Sequence, residues 1–313
     1  MKTAIIVGSE GQDGRIAFDL LARKQYRILG IGRRGVKGVG VDWDQAIDIT
    51  NRQDVLQLSK AVQADEIYYL AACQQSSQDK LRDESDLLKE SHAVHVEGLL
   101  YFCEGIRMYH PRARLFYAAS SLIYEGTDTV VQDEQTPFCP RSIYGMTKLD
   151  GLLLCRYYRA NHGVFASCGI LYNHESLYHG DNFVSTKIIK AALNIKEGKQ
   201  EALVLGDLSA QVDWGYASDY VAAMHQILNS AQADDFIIAS GAAHSVRDFA
   251  AVAFGLLGLD WKKYVREDRR LVTRARKVLV GDPKKLMDKT GWRPTVDFQG
   301  MVKALLQARG APG

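Results

Sequence analysis

The sequence predicts an α/β fold centred on a doubly wound parallel sheet, and two observations support this fold class. Short apolar runs rich in strand-forming residues recur at residues 3–7, 27–31, 66–71 and 114–118, and stretches with helical spacing separate them. Strands that alternate with helices pair in parallel, because each helix returns the chain to the same end of the sheet. The runs are apolar on both faces, which indicates helices on both sides of the sheet.

The order of elements along the chain also predicts two domains. A long helix at residues 149–161 and a strand at 165–170 complete the regular alternation. Beyond about residue 172 loops mix with helices, such as 186–194 and 246–257, and with short strands, such as 236–239. We therefore expect one domain over residues 1–172 and a smaller α/β domain over most of residues 173–313. No Pro- or Ser-rich linker separates them, so the chain can cross between the two.

The composition is that of a folded protein without a strongly charged partner. The 313 residues are 47% hydrophobic and 24% charged, and the formal net charge is +2. So small a charge gives no electrostatic argument for binding nucleic acid or a membrane surface. The five cysteines are widely spaced without a CxxC pair, which predicts reduced thiols, no metal site and a cytoplasmic location.

A glycine-rich turn follows the first predicted strand. Gly8, Gly11 and Gly14 form a GxxGxxG pattern between that strand and the first helix. The missing Cβ atoms let backbone N–H groups approach a pyrophosphate, and the helix N-terminus favours its negative charge. A tight turn alone would also select glycine, but the position after the first strand favours a Rossmann-type dinucleotide site.

The end of the second predicted strand indicates which dinucleotide binds. NAD sites commonly have an acidic residue here, whereas this chain has Arg33 and Arg34. Two guanidinium groups suit a 2′-phosphate, so we predict NADP; NAD is the alternative if both arginines are only surface residues. Asp48 and Ile49 follow the next short strand, where the aspartate either contacts the adenine or caps the helix that begins near Thr50.

A second group of residues carries candidate chemistry. Tyr144 and Lys148 have YxxxK spacing, which places phenol and ammonium one helical turn apart. The cation is expected to lower the pKa of the tyrosine toward neutrality and make it a proton relay. Ser120, at the end of the strand at 114–118, can donate a hydrogen bond to the same substrate oxygen. Each part is common alone, but the three together in this order predict a catalytic site.

Several longer motifs resemble the extended short-chain dehydrogenases/reductases, the NAD-dependent epimerase/dehydratase family. Within that group the sequence is most similar to the GDP-mannose 4,6-dehydratase family, over nearly the whole chain. The motifs are GSEGQDG at 8–14, GIGRR at 30–34, EIYYLAA at 66–72, PRSIYG at 140–145 with Lys148, GILYNHES at 169–176, NFV at 182–184, DWG at 213–215, DYV at 219–221, GDP at 281–283 and GW at 291–292.

The resemblance implies a GDP-linked or other nucleotide sugar as substrate and a homodimer as assembly. At the coenzyme it places, besides the glycines and arginines, Gln12, Asp13, Leu70, Ala71, Ala72, Tyr144 and Lys148. At the substrate it places Ser121, Leu122, Asn173, Asn182, Val184 and Lys187. A second interpretation of Asn173 is that its side chain only bridges backbone groups in a turn. Trp214 is expected in the core. The leucines at 149 and 152–154 either face the sheet or form the dimer contact.

The chain departs from the family pattern at the elimination base, at positions near the diphosphate and in one loop. The family's Thr-x-Glu, whose glutamate removes the C5 proton of the sugar, is Ser120-Ser121-Leu122 here, and leucine cannot carry a proton. Val212, Tyr178 and His179 stand where the family has arginines. The loop after Arg34 also lacks the extension that contributes to subunit contacts in the family.

Three functions fit this pattern. The favoured one is an NADPH-dependent reductase of a GDP-4-keto-6-deoxy-hexose, which needs only Ser120, Tyr144, Lys148 and the coenzyme. A 4,6-dehydratase needs a relocated base such as Glu125, but no helical spacing is expected in that loop and the side chain is expected to face water. An epimerase also needs a base, which the sequence does not identify. A non-catalytic NADP-binding regulator is the third, although such a protein would be free to lose the tyrosine and the lysine.

Overall fold

The structure of this chain is a computed structural model that describes residues 1–73, 83–272 and 277–310. Its strands are β1 (Thr3–Val7), β2 (Arg27–Gly32), β3 (Gly35–Val39), β4 (Glu66–Tyr69), β5 (Arg114–Ser120), β6 (Val131–Gln132), β7 (Phe165–Leu171), β8 (Asn173–Glu175), β9 (Leu203–Leu205), β10 (Gln211–Tyr216), β11 (Asp235–Ile238), β12 (Ala243–Ser245), β13 (Val265–Glu267) and β14 (Val280–Gly281). Its α-helices are α1 (Gln12–Arg23), α2 (Arg52–Ala61), α3 (Glu84–His92), α4 (Gly98–Tyr109), α5 (Ile143–His162), α6 (Val184–Lys196), α7 (Ala217–Leu228), α8 (Val246–Leu256), α9 (Trp261–Tyr264), α10 (Lys284–Thr290) and α11 (Phe298–Gln307).

The central sheet has the strand order β11-β7-β5-β4-β1-β2-β3. Its pairs from β11 to β2 are parallel, and β3 joins the edge antiparallel to β2. β1 and β4 are buried along their whole length because both faces of the sheet are covered. The predicted α/β fold class is therefore confirmed, with one antiparallel edge strand that the pattern of alternating strands and helices did not indicate.

Helices pack on both faces of this sheet, which is the doubly wound arrangement. Val55 of α2, Phe102 of α4 and Leu152 of α5 lie in the core on one face. Leu21 of α1 and Met224 of α7 lie in the core on the other. The carboxyl ends of the parallel strands therefore meet at one edge of the sheet, the place where open α/β sheets bind ligands.

The chain beyond residue 172 contributes to two parts of the molecule. A separate core forms among α6, α8, α11 and β10, and it buries Trp214, which is 2% exposed and packs edge-on against Phe249. In contrast, β11 pairs with β7 in the central sheet, and α7 covers that sheet. Trp214 is thus a core residue, as expected.

The helix that carries Tyr144 and Lys148 begins earlier than predicted. The hydroxyl of Ser142 caps α5 by accepting a hydrogen bond from the backbone N of Gly145 at 3.2 Å. A start at residue 149 was wrong because Gly145 and other weak helix formers interrupt the apolar pattern before it. Within the helix Leu152 is buried against the sheet, whereas Leu153 is 46% exposed.

The remaining whole-chain expectations concern cysteines, membranes and metals. All five cysteines lie in the described residues, and none of them forms a disulfide. In the part of the chain that the structure describes, no helix has the length and apolar character needed to cross a membrane. The same described residues contain no group of three or more metal-binding side chains.

Candidate active site

The glycine-rich turn joins β1 to α1 at the carboxyl edge of the sheet, beside Leu70, Ala71 and Ala72, which follow β4. Gly8 adopts a φ of +91°, and a Cβ there would lie 2.7 Å from the backbone N of Ala71. A Cβ on Gly14 would lie 2.2 Å from the carbonyl oxygen of Gly8. No side chain caps α1 at Gly11 among the described residues, so its first amides are available to an anion. The turn therefore fits a dinucleotide diphosphate.

Gln12 and Asp13 reach across to the second half of the chain. The amide nitrogen of Gln12 donates to the carbonyl oxygen of His174 at 3.0 Å, and its oxygen accepts from the Ser176 hydroxyl at 2.8 Å. Asp13 pairs with the His174 ring, whose Nε2 lies 3.0 Å from both carboxylate oxygens. These two residues thus fasten the glycine turn to β8, a contact that sequence reasoning missed.

Arg33 and Arg34 form the two-residue turn between β2 and β3, whose last paired residues are Gly32 and Gly35. Both side chains are exposed. Nε of Arg34 donates to Oε1 of Glu10 at 2.9 Å, which ties it to the glycine turn. Arg33 has no hydrogen bond or ion pair with a described residue. Only Arg33 is therefore available to a 2′-phosphate without breaking an existing contact.

Asp48 and Ile49 lie between β3 and α2. Oδ1 of Asp48 accepts hydrogen bonds from the backbone N and the hydroxyl of Thr50, at 2.9 and 2.7 Å. The cap of α2 is Asn51, whose side chain accepts from two amides of the first turn. The helix-cap alternative for Asp48 is therefore wrong, and contact with the adenine stays a prediction. Ile49 is partly buried against the core.

Tyr144 and Lys148 lie in the first two turns of α5, facing the end of β5. Lys148 is 1% exposed, and its Nζ donates to the carbonyl oxygen of Ala118 at 2.7 Å. The same Nζ lies 5.7 Å from the ring centre of Tyr144 and 5.1 Å from that of Tyr117. The helix thus holds amine and phenol together against one strand.

The ionisation of this pair differs from the sequence-based expectation. Burial raises the pKa of the Tyr144 phenol, and the negative charge of Asp13 raises it further. Burial lowers the pKa of Lys148 to about 7, against the opposing effect of Asp13. The expected shift of the tyrosine pKa toward neutrality is therefore wrong, because desolvation outweighs the attraction of an amine that is itself only partly charged.

Ser120 ends β5 and leads into a 3₁₀ helix at Ser121–Tyr124. Its partly exposed hydroxyl accepts a hydrogen bond from the backbone N of Leu122 at 3.2 Å, whereas Ser121 is only 5% exposed. A 3₁₀ helix has three residues per turn, so Leu122 and Glu125 lie on the same side. Glu125 is partly buried, and its Oε2 is buried without a hydrogen-bond partner among the described residues. The expectation that Glu125 faces water is therefore wrong.

The residues implied at the substrate lie in β8 and at the start of α6. Asn173 is exposed, and its side chain makes no hydrogen bond to a described residue, so it bridges no backbone groups there. Asn182 is exposed just before α6, and Val184 is the partly buried first residue of that helix. Lys187 is partly buried as well, and burial lowers its pKa.

The positions that lack the family's arginines have internal partners instead. The ring of Tyr178 lies 5.2 Å from the guanidinium carbon of Arg15. His179 forms a hydrogen bond with Glu175 through Nδ1 and stacks on Phe183, with ring centres 3.6 Å apart. Val212 lies in β10, paired with residue 244 of β12. The guanidinium groups that the family places at these positions are therefore missing from this site.

Two aspartates in the resemblance motifs have structural roles. The carboxylate of Asp213 accepts hydrogen bonds from the backbone amides of residues 240, 241 and 281. That of Asp219 accepts from the amides of residues 295 and 296, and its carbonyl oxygen accepts from Nε1 of Trp292 at 2.9 Å. The DWG, DYV, GDP and GW motifs thus join distant segments of the second half.

His95, which no sequence pattern indicated, lies in the π-helical turn Ala93–Glu97 beside Tyr144. Its ring is fully buried and meets the Tyr144 ring edge-on, with centres 5.4 Å apart. Nε2 accepts from the backbone N of Cys73 at 2.9 Å, so Nδ1 carries the proton and donates to the hydroxyl of Thr147 at 2.8 Å. Burial lowers the pKa of His95 to about 2, with help from Lys148. One histidine within a helical pattern offered no signal of this role.

A cavity of about 230 Å³ has Tyr178 in its wall but lies away from the predicted coenzyme and catalytic residues. It is enclosed by α1, α7, α11 and the segment after β8, and its walls include Leu20, Arg23, Tyr178, Ser218 and Leu305. None of the residues predicted to bind the coenzyme, to carry out catalysis or to bind the sugar lines this cavity. Gly8, Ala71 and Ser120 instead lie at the carboxyl ends of β1, β4 and β5.

Sequence comparisons give matches over almost the whole chain. The profile of the GDP-mannose 4,6 dehydratase family matches residues 5–305. The chain is 35% identical to GDP-mannose 4,6 dehydratase 2 of Arabidopsis thaliana, over 97% of this chain and 86% of that protein. It is 30% identical to GDP-mannose 4,6-dehydratase of Yersinia enterocolitica, over 98% of this chain and 93% of that protein.

Solved structures share the fold at lower sequence identity. RMD from Pseudomonas aeruginosa complexed with NADPH has a TM-score of 0.81 and 17% identity, over 98% of both chains. UDP-glucose 4-epimerase of Thermus thermophilus in complex with NAD has a TM-score of 0.79 and 20% identity, over 99% of this chain and 100% of that one. Likenesses at this identity show the common fold alone.

Proposed function

The chain belongs to the GDP-mannose 4,6-dehydratase family, and from that premise we propose that it is an NADPH-dependent reductase of a GDP-linked 4-keto-6-deoxy-hexose. One observation carries the proposal: Ser120, Tyr144 and Lys148 are all present, whereas Leu122 occupies the position of the family's glutamate. Ketone reduction needs a hydride and a proton. Water elimination needs in addition a base near the C5 proton, which a leucine cannot supply.

The exposed guanidinium of Arg33, which has no partner among the described residues, supports NADP(H) over NAD(H). A 2′-phosphate would receive a charge-assisted hydrogen bond there, whereas a free ribose hydroxyl would gain little from it. The start of α1 supports a dinucleotide of either kind, since no side chain among the described residues caps its first amides, and these suit the diphosphate. When bound, the coenzyme would supply the hydride.

The side chains around the ketone would supply the proton and hold the substrate. The phenol of Tyr144 is protonated at neutral pH, and burial raises its pKa further above the ordinary value, so it holds the proton that ketone reduction needs. The Ser120 hydroxyl accepts from the backbone N of Leu122, so its own proton is free to bind the ketone oxygen. Lys148 is positioned to stabilise the phenolate left after transfer. Exposed Asn173 and Asn182 would bind the nucleotide sugar.

Two parallel incubations test this proposal. In the first the protein receives GDP-mannose and NADP+, and in the second it receives the 4-keto-6-deoxy sugar nucleotide and NADPH. We expect no keto sugar in the first and consumption of NADPH in the second. Formation of a keto sugar from GDP-mannose, or no reaction in either mixture, would overturn it.

A dehydratase with a relocated base is the second candidate, and Glu125 favours it. Its buried Oε2 has no partner among the described residues, a state that costs about 1–3 kcal/mol unless a substrate group fills it. Elimination of water by the wild type that disappears in Glu125→Gln would support this candidate. Asp128→Asn, an exposed position in the same loop, serves as the control.

We also propose that the chain forms a homodimer through α5. Met146, Leu153 and Tyr157 are 41%, 46% and 53% exposed, and their spacing places them on one side of the helix. Sedimentation of the wild type should give twice the mass of the chain, and Leu153→Asp should give the monomer.

A further inference from the structure

The hydrogen bonds of His174 determine its charge. Nδ1 lies 2.7 Å from the carbonyl oxygen of Tyr172, and Nε2 lies 3.0 Å from both carboxylate oxygens of Asp13. A carbonyl and an ionised carboxylate only accept hydrogen bonds, so both ring nitrogens have to donate. A histidine that donates from both nitrogens is an imidazolium cation.

The surroundings of the pair support this charge state. The side chains of His174 and Asp13 are 12% and 16% exposed. Titratable groups face the pair from every neighbouring element, namely Glu175 of β8, His179 of the next loop, Tyr220 of α7, and Tyr144 and Lys148 of α5. Burial opposes both charges, but mutual attraction outweighs it, so the pKa of His174 is raised and that of Asp13 is lowered.

The pair lies where the two halves of the site meet. Asp13 belongs to the first turn of α1, beside the amides that fit a diphosphate, and His174 follows Asn173 in β8. A carboxylate without a counter-charge at this point would repel an anionic ligand. The bond from Gln12 to the carbonyl oxygen of His174 holds the same two elements together.

We infer that His174 is a charged positioning residue, whose imidazolium cancels the charge of Asp13 and clamps the glycine turn to β8 so that the site accepts an anionic dinucleotide. The charge state of His174 follows from the hydrogen-bond geometry of the chain itself. The effect on the dinucleotide rests on the proposed function. The two parts therefore have separate experiments.

NMR on the full chain labelled with ¹⁵N-histidine tests the charge. His174→Gln and Asp13→Asn identify the His174 signals among those of the eight histidines. We expect both His174 nitrogens to be protonated at pH 7.5, where an ordinary histidine with a pKa of about 6.5 is mostly neutral. In Asp13→Asn the ring should be neutral at that pH. A neutral His174 ring in the wild type would overturn the first part.

Dissociation constants for NADPH test the second part. His174→Gln leaves Asp13 without its counter-charge and should weaken NADPH by about tenfold or more. The double variant Asp13→Asn/His174→Gln should recover most of this loss, because it removes both charges. Recovery would not occur if His174 served only to fill space, so a double variant that binds no better than His174→Gln overturns the inference.

His225→Gln is the matched control for these measurements. His225 is also a half-buried histidine near a buried carboxylate, with Nδ1 3.7 Å from Oε2 of Glu66, at the opposite end of the sheet. Its replacement should leave NADPH affinity unchanged, and thermal unfolding of each variant identifies any that fails to fold. A wild type that binds neither NADPH nor NADH would refute the proposed function, while the NMR experiment would still decide the charge of His174.

Discussion

The two sides of the candidate active site keep the family pattern to different degrees. On the coenzyme side the glycine turn, Tyr144 and Lys148 are present on regular elements, and the GxxGxxG glycines fit a close approach of the backbone. On the substrate side Leu122, Val212, Tyr178 and His179 differ from the family, and Tyr178 and His179 pack against neighbouring side chains. The coenzyme side therefore retains the residues of the family pattern, whereas the substrate side has changed at several positions, including Leu122.

The largest effect should come from the retained side. Tyr144→Phe removes the proton donor and keeps the ring, so turnover should fall by about 10²- to 10⁴-fold while the dissociation constant for NADPH changes little. Steady-state kinetics and a coenzyme titration measure the two quantities. A variant that keeps most of its activity would contradict the assignment of Tyr144.

The buried amine of Lys148 should make stability depend on pH. Its pKa is about 7 in the folded chain against 10.5 for an ordinary lysine, so between these values the unfolded chain binds the proton that the folded chain has lost. The free energy of unfolding should therefore rise with pH across this window, by on the order of a few kcal/mol. Urea unfolding at pH 7, 8 and 9 measures the rise, with Lys148→Met as the reference variant. If the lysine titrated normally, the unfolding free energies of the wild type and of Lys148→Met would change with pH by the same amount.

A smaller effect should separate the two arginines of the β2–β3 turn. Arg33→Ala should weaken NADPH by about 1.5–3 kcal/mol, the usual value of a hydrogen bond to a charged group. Arg34→Ala should weaken it less, because that guanidinium is already paired with Glu10. NADH affinity is the internal control and should not change. Equal affinity of the wild type for NADPH and NADH would count against both arginines.

The smallest effect should come from restoring one residue on the altered side. Leu122→Glu returns a carboxylate to the family position and should raise a negligible rate of water elimination from GDP-mannose. The gain should be small, because Val212 and Tyr178 also differ and a misplacement near 1 Å can cost about 10²-fold. Detection of the keto sugar measures it, with Leu122→Gln as the uncharged control. Efficient elimination by the wild type would instead direct attention to Glu125.

Elements that are buried on both faces were predictable from the sequence. The predicted strands at 3–7, 114–118 and 165–170 match β1, β5 and β7 to within two residues, since a strand inside a parallel sheet needs an unbroken apolar run. β3 contains two glycines and is mostly exposed, so its antiparallel pairing has no such signal. The 3₁₀ helix at Ser121–Tyr124 was missed because four residues are too few to show a period.

Residue types and their spacing are enough to identify the family, the glycine turn and the Ser-Tyr-Lys group. The charge and the partners of individual side chains depend instead on the folded structure. His95 is neutral because it accepts a backbone N–H, whereas His174 is cationic because both of its partners are acceptors. Arg33 and Arg34 are neighbours of one type, yet Glu10 pairs with only one of them. Such differences arise because folding sets the partners of each polar group, and the partners come from segments far apart in the chain.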